Sequence, residues 1–251
     1  MNLTSIPALQ DNYIWLLSNK ENRCAIVDPG EAAPALNFLT QNQLTPEAIL
    51  LTHHHADHVG GVSEIVNHYP GLPVFGPKET AKCGATHLVA EGNNVSVLNS
   101  EFSIFEVPGH TSGHIAYYNA PFLFCGDTLF SAGCGRIFEG TPKQLYESIQ
   151  KIANLPDDTV VCCAHEYTLA NLTFSNAIWP EEPNIAAYLH KISQIREKSQ
   201  SSLPTTLGLE RKINLFLRCH EFDLKRKLST EPEKIEHWRA FEILRSKKDC
   251  F

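Results

Sequence analysis

Between residues 53 and 58 the chain places four histidines and an aspartate, in the run Thr52-His53-His54-His55-Ala56-Asp57-His58-Val59-Gly60-Gly61. The spacing is H-x-H-x-D-H. Imidazole and carboxylate groups this close are costly to dehydrate unless they share a partner, and a metal ion is the partner their chemistry fits. The apolar run Ile49-Leu50-Leu51 precedes the cluster and a Gly-Gly pair follows it, which places the cluster on a strand-to-helix loop. Alternation puts His53 and His55 on one side of that loop, with Asp57 and His58 further round the turn. One loop can therefore offer two ligand pairs to two metal ions.

Three further candidates share that setting: His110 follows the run 102–107, Asp127 follows 122–125, and His165 follows 160–163. Strand ends of one sheet converge on a rim where ligand sites gather. Five histidines and two aspartates suit zinc or a similar borderline transition metal and do not suit calcium. His68, His87, His190, His220 and His237 read as ordinary core or surface residues. His54 alternates away from the cluster and His114 falls at the start of the next strand, so both read as structural. Asp28, in Val27-Asp28-Pro29-Gly30, fits two roles equally: a turn-stabilising residue, or a hydrogen-bond partner of a metal-bound histidine.

The elements that must position these residues alternate up to about residue 167. Short β-branched or aromatic runs at Tyr13–Leu17, Cys24–Val27, 49–51, 74–75, 95–98, 102–107, 115–118, 122–125 and 160–163 read as strands. Helices are expected after Asp28-Pro29-Gly30, after Gly60-Gly61, and from Thr141-Pro142-Lys143-Gln144. The last opens with a Thr N-cap, Pro at the first helical position and Gln at the third, with Leu145, Ile149 and Ile152 on one face. Beyond residue 167 the spacing turns helical, with Ile185, Tyr188, Leu189, Ile192 and Ile195 on one stripe and Ile235, Trp238, Phe241 and Leu244 on another. A mixed α/β domain over 1–167 followed by a mainly helical domain over 168–251 is expected.

The T-H-x-H-x-D-H loop with later His, Asp and His at strand ends resembles the metallo-β-lactamase superfamily, and the whole chain is similar to the glyoxalase II (hydroxyacylglutathione hydrolase) family. The resemblance implies a four-layer αββα sandwich with a helical C-terminal domain. It also implies two divalent metals, zinc first, with iron or manganese accepted by the same donors. On that pattern His53, His55 and His110 hold one metal, Asp57, His58 and His165 hold the other, and Asp127 bridges them. The implied reaction is hydrolysis of S-(2-hydroxyacyl)glutathione thioesters, S-D-lactoylglutathione foremost, to glutathione and D-lactate, the second step of methylglyoxal detoxification. The attacking group is a hydroxide held by both metals and oriented by Asp57 and Asp127. Segments 135–140, 165–168 and 244–249 are similar to the family's glutathione-binding segments. They imply that Arg245 and Lys248 clamp the glycine carboxylate while Arg136, Phe138 and Tyr167 line the same groove. Phe138 stands where some members have tyrosine, which removes a hydroxyl donor. The superfamily loop alone also fits a persulfide dioxygenase or other sulfur oxygenase, a lactonase, or a non-catalytic metal- or glutathione-binding module.

Charge sharpens the exclusions. Of 251 residues 43% are hydrophobic and 20% charged, an ordinary globular composition, and the formal charge is −7. Residues 1–210 carry 10 Lys/Arg against 21 Asp/Glu, whereas 211–251 carry 11 against 7. An acidic body is a poor partner for nucleic acid or an anionic membrane, but a cationic tail suits a small anion. The N-terminus has neither a basic segment nor a long apolar one, and the eight cysteines are scattered without a C-x-x-C pair. A cytoplasmic monomer with reduced thiols is expected.

Overall fold

A computed structural model describes residues 1–251. The chain forms two compact units, Met1–Glu106 with Gly113–Gly126, and Val107–Ser112 with Asp127–Phe251.

The first unit begins with a six-stranded mixed sheet. Strands β1 (Asn2–Ala8), β2 (Asn12–Ser18) and β3 (Arg23–Val27) pair antiparallel. The chain then crosses through α1 (Ala32–Asn42) to β4 (Thr45–Leu50). From β4 it passes through the one-turn α2 (Ala56–Val59) and α3 (Val62–His68) to β5 (Val74–Gly76), and then to β6 (His87–Leu88). Strands β3 to β6 run parallel, which is why helices connect the first of them: parallel neighbours need a crossover. Every residue of β2 is buried, the near-continuous burial of a strand covered on both faces. The core beneath α1 and α3 gathers Ile14, Leu16, Ile26, Leu39, Ile49, Leu51, Ile65 and Val74. A second sheet in this unit is an antiparallel meander of β7 (Asn94–Val97), β8 (Ser100–Glu106), β9 (Ile115–Asn119) and β10 (Phe122–Phe124). The Tyr117 hydroxyl of β9 donates to the Leu51 carbonyl (3.1 Å), and the Ile115 amide donates to the Thr52 carbonyl (3.0 Å). The meander is thereby pinned to the end of β4, where the histidine loop begins.

The second unit opens with a small hairpin, β11 (Leu129–Phe130) and β12 (Gly133–Cys134), followed by α4 (Pro142–Ala153). Helix α4 has the full capping box: the Thr141 side chain accepts from the Gln144 amide and the Gln144 side chain accepts from the Thr141 amide. Its buried face carries Leu145, Ile149 and Ile152, each contributing about 1.5–3 kcal/mol relative to an exposed position. Strand β13 (Val160–Cys162) pairs with β14 (Thr205–Thr206), and between them lie α5 (Thr168–Ile178) and α6 (Pro183–Glu197). Helices α7 (Leu207–Ile213), α8 (Phe222–Leu228) and α9 (His237–Asp249) complete the chain.

The short strands β6, β11, β12 and β14 have no counterpart in the sequence reading, and other elements differ from it. β1 is a full strand at the sheet edge, although its pattern of Ser, Pro and partly exposed residues hides it. β4 starts four residues earlier than its apolar run. Ile235 precedes the N-cap Glu236 and lies outside α9.

Candidate active site

In the first unit the loop after β4 brings its ligand candidates together from one short stretch. His53 Nε2 lies 3.1 Å from His55 Nδ1, as alternation predicts. His55 is the N-cap of α2, and on that single turn His58 Nε2 lies 3.5 Å from the Asp57 carboxylate. Asp57 also accepts the Asn12 side-chain amide on both Oδ2 (3.0 Å) and its carbonyl (3.2 Å). Gly30 allows the loop to sit this close, because a Cβ there would collide with the Asp57 carbonyl oxygen.

Asp28 is the hydrogen-bond partner of His58, one of the ligand candidates. Its backbone is left-handed, with φ of +49°, and its carboxylate accepts the Thr52 amide (2.8 Å), the Thr52 hydroxyl (2.6 Å) and His58 Nδ1 (3.0 Å). The Thr52 hydroxyl, having given its proton to Asp28, is an acceptor for His53 Nδ1 at 3.0 Å. The network therefore assigns the Nδ1–H tautomer to both His53 and His58 and leaves each Nε2 with a lone pair for a metal. His114 supports this from the other side: fully buried, its ring stacks on His53 with centroids 4.5 Å apart and planes 19° from parallel. Sequence reasoning missed Asn12 and the stacking role of His114, since neither carries a local signal.

In the second unit Asp127 is the meeting point. Its two oxygens lie 3.4 Å from His110 Nε2 and 3.3 Å from His165 Nε2. His110 Nδ1 donates to the Arg136 carbonyl at 2.8 Å, so in the neutral form of this third ring the lone pair is on Nε2. Within each unit, buried or half-buried imidazoles beside a carboxylate, with the ring tautomers set from behind at His53, His58 and His110, fit a divalent transition metal. A ring that had to carry a proton on Nε2 would not.

Around Asp127 lies a cavity of about 420 Å³ lined by His110, Asp127, Phe130, Cys134, Arg136, Phe138, Tyr167, Ala170, Asn171, Arg245 and Lys248. All five residues expected to bind substrate are on its wall. Tyr167 stacks flat on His165 (4.7 Å, 5°), and Phe130 meets both rings edge-on. Phe138 is 63% exposed and turns its edge to His110 at 5.2 Å. Lys248 is half-buried beside Phe174, and burial, then the neighbouring Arg245 charge, hold its ammonium below the ordinary lysine value. Lys247 is exposed, as expected of a solvated residue. Phe130, Cys134 and Asn171 carry no signal in the sequence; the first two lie on the hairpin that follows Asp127, and Asn171 of α5 donates to the Ser131 carbonyl of its turn at 2.9 Å.

That hairpin is fastened by a buried carboxylate. Glu210 of α7 accepts the Ser131 hydroxyl (2.8 Å), the Ala132 amide (2.7 Å), the Thr205 hydroxyl (2.8 Å) and the Asn214 amide (3.2 Å). Burial pushes the Glu210 carboxyl up, while those donors pull against it. Gly135 then passes so close to the Asp127 carbonyl that no side chain fits.

Comparison with known proteins agrees along the full length. Residues 9–165 match the metallo-β-lactamase superfamily and residues 166–251 match the hydroxyacylglutathione hydrolase C-terminus. The chain is 85% identical to hydroxyacylglutathione hydrolase of Pectobacterium atrosepticum and 61% identical to that of Erwinia tasmaniensis, each over 100% of both chains. Among solved structures, the B3 metallo-β-lactamase BLEG-1 superposes with a TM-score of 0.67 at 28% identity, over 86% of this chain and 99% of that one. TTHA1623, solved in a di-iron-bound form, gives 0.60 at 26% identity over 86% and 100%.

Proposed function

The chain belongs to the hydroxyacylglutathione hydrolase family of the metallo-β-lactamase superfamily, and on that footing we propose that it hydrolyses S-(2-hydroxyacyl)glutathione thioesters, S-D-lactoylglutathione foremost, to glutathione and a 2-hydroxy acid. The observation that carries this reading is the single cavity on whose wall His110 and Asp127 stand together with Arg136, Arg245 and Lys248. Metal-type donors and three cations on one wall suit a substrate with a reactive carbonyl and a remote carboxylate.

We assign His53, His55 and His110 to one metal, Asp57, His58 and His165 to a second, and Asp127 to both. Zinc is the proposed ion, and the di-iron form of TTHA1623 supports a two-metal centre in a relative. When bound, such a pair lowers the pKa of water from about 16 towards about 7 and polarises a carbonyl oxygen. The chain's own work is positional. Asp28 and Thr52 hold His58 and His53 in the ligating tautomer, the Arg136 carbonyl does the same for His110, and Asp57 and Asp127 orient the attacking water through their carboxylates. Arg136, Lys248 and Arg245 hold the peptide carboxylate so that the thioester lies over Asp127. Phe138 and Tyr167 exclude water along the groove, Phe138 by apolar contact alone. The departing thiol, with a pKa of about 8.5, leaves as thiolate without an acid to protonate it.

A reducing compartment is supported by thiol placement, since six of the eight cysteines are buried. No helix is long and apolar enough to cross a membrane. A cytoplasmic monomer acting on a small thioester, with neither nucleic acid nor membrane as partner, completes the proposal. Metal-reconstituted protein should consume lactoylglutathione with release of one thiol per thioester, and Asp127→Ala should lower bound metal and kcat together. Wild-type protein without turnover, or an active variant retaining both metals, would refute the assignment.

A further inference from the structure

The last turn of α9 holds a carboxylate among the cations of the cavity. Arg245 is 4% exposed. Its Nη1 donates to the Cys134 carbonyl at 2.9 Å, while Nε (3.1 Å) and Nη2 (2.9 Å) both donate to the same oxygen of Asp249. Arg136 Nε lies 4.0 Å from that oxygen as well. Nη1 also reaches Cys134 Sγ at 3.7 Å, so Nε, Nη1 and Nη2 are all engaged within the chain, and the Nε/Nη2 edge, one that carboxylates grip with two bonds, is taken by a carboxylate of the protein itself.

Helix stability does not account for Asp249. A negative charge in the last turn opposes the helix dipole, and an acidic residue four positions after its cationic partner is the weaker of the two orders. The local reason is the buried guanidinium, which needs a counter-ion when the cavity holds no anion. The Asp249 side chain is 44% exposed, so it can turn to water when another carboxylate arrives.

We propose that Asp249 is a specificity-determining residue, an intramolecular carboxylate that competes with the substrate's terminal carboxylate for Arg245 and Arg136 and so limits how tightly the peptide portion is held. The inference rests on the glutathione-thioester reading above. Its catalytic sense follows from chemistry: the glycine carboxylate is identical in the thioester and in released glutathione. Binding energy gained there is uniform, lowering KM and retarding product release without lowering the barrier. Asp249 trims that uniform part.

Asp249→Asn separates charge from geometry, because the amide oxygen still accepts from Arg245. At low ionic strength the variant should show a KM for lactoylglutathione and an inhibition constant for glutathione both lowered about three- to tenfold, the range expected for removing one half-exposed repulsive charge. The gap should narrow in high salt, kcat should not rise, and the same acyl group on a thiol without the glycine carboxylate should be unaffected. Asp249→Glu, which restores the charge, should return both constants towards wild type, and Arg245→Ala should move them the opposite way. Unchanged or raised constants in Asp249→Asn would overturn the proposal and make Asp249 a prop for Arg245. Calorimetry with glutathione on the wild-type protein separates the two levels of inference: binding without an Asp249 effect sinks only this proposal, and absence of binding sinks the functional reading with it.

Discussion

At His53, His58 and His110 the imidazole is held from its Nδ1 side by a hydroxyl, a carboxylate and a backbone carbonyl respectively. This arrangement decides the chemistry before any ion binds, because it fixes which nitrogen keeps its lone pair. The ligand candidates were legible in the sequence because the dense spacing of His53, His55, Asp57 and His58 has no economical explanation without a shared partner. Their supports were legible only in part: Thr52 adjoins His53 and Asp28 stands out in Val27-Asp28-Pro29-Gly30, whereas Asn12 reaches Asp57 from 45 residues away, and nothing local marks it. Lys248 gives a prediction at this scale. Because burial holds its ammonium below the ordinary lysine value, its positive charge is lost at a less alkaline pH than a solvated lysine's. Carboxylate binding that relies on that charge should therefore weaken as pH rises, before the ordinary lysine range is reached. Titration calorimetry with an S-alkylglutathione should show the dissociation constant climbing over that range in the wild type and staying flatter in Lys248→Arg. Superimposable profiles would remove Lys248 from the clamp.

Among the elements, the hairpin of β11 and β12 has the least intrinsic stability, with two residues to each strand. It stands because α7 delivers Glu210 to its turn and Asn214 donates to the Phe130 and Gly133 carbonyls at 3.1 and 3.0 Å. Replacing Glu210 by alanine strands the Ala132 amide and two hydroxyls, while the Asn214 amide keeps its two carbonyl acceptors. It should cost about 2–4 kcal/mol of unfolding free energy, read as a lower denaturant midpoint. A loss below about 1 kcal/mol would mean that the hairpin is held by Asn214 and Asn171 without it. The capping box of α4 was readable because all its signals are local: Thr141, Pro142 and Gln144 lie within four residues. The hairpin was invisible because its partners lie 40 to 84 residues away. Edge strand β1 was hidden for a related reason, since two of its seven residues are exposed, three are only partly buried, and Pro7 interrupts the pattern.

For the molecule as a whole, the charge asymmetry has a local meaning. The cationic C-terminal stretch supplies Arg245 and Lys248 to the cavity wall, where Arg136 from the otherwise acidic body joins them. We keep a division at residue 167 as the proposed boundary between a catalytic and a substrate-binding domain. Compactness alone groups 107–112 and 127–167 with the helices that follow. The sequence marks a change of period, whereas compactness also depends on which loops fold back. Both divisions put the cations of the cavity on the C-terminal side of Asp127. The decisive measurement is kcat/KM of the metal-reconstituted protein for lactoylglutathione against the same lactoyl group on a thiol lacking the glycine carboxylate. A carboxylate held by charge-assisted hydrogen bonds is worth about 1.5–3 kcal/mol, so the account predicts a preference of roughly ten- to more than a hundredfold for lactoylglutathione, carried mainly by KM. Equal values for the two thioesters would contradict it.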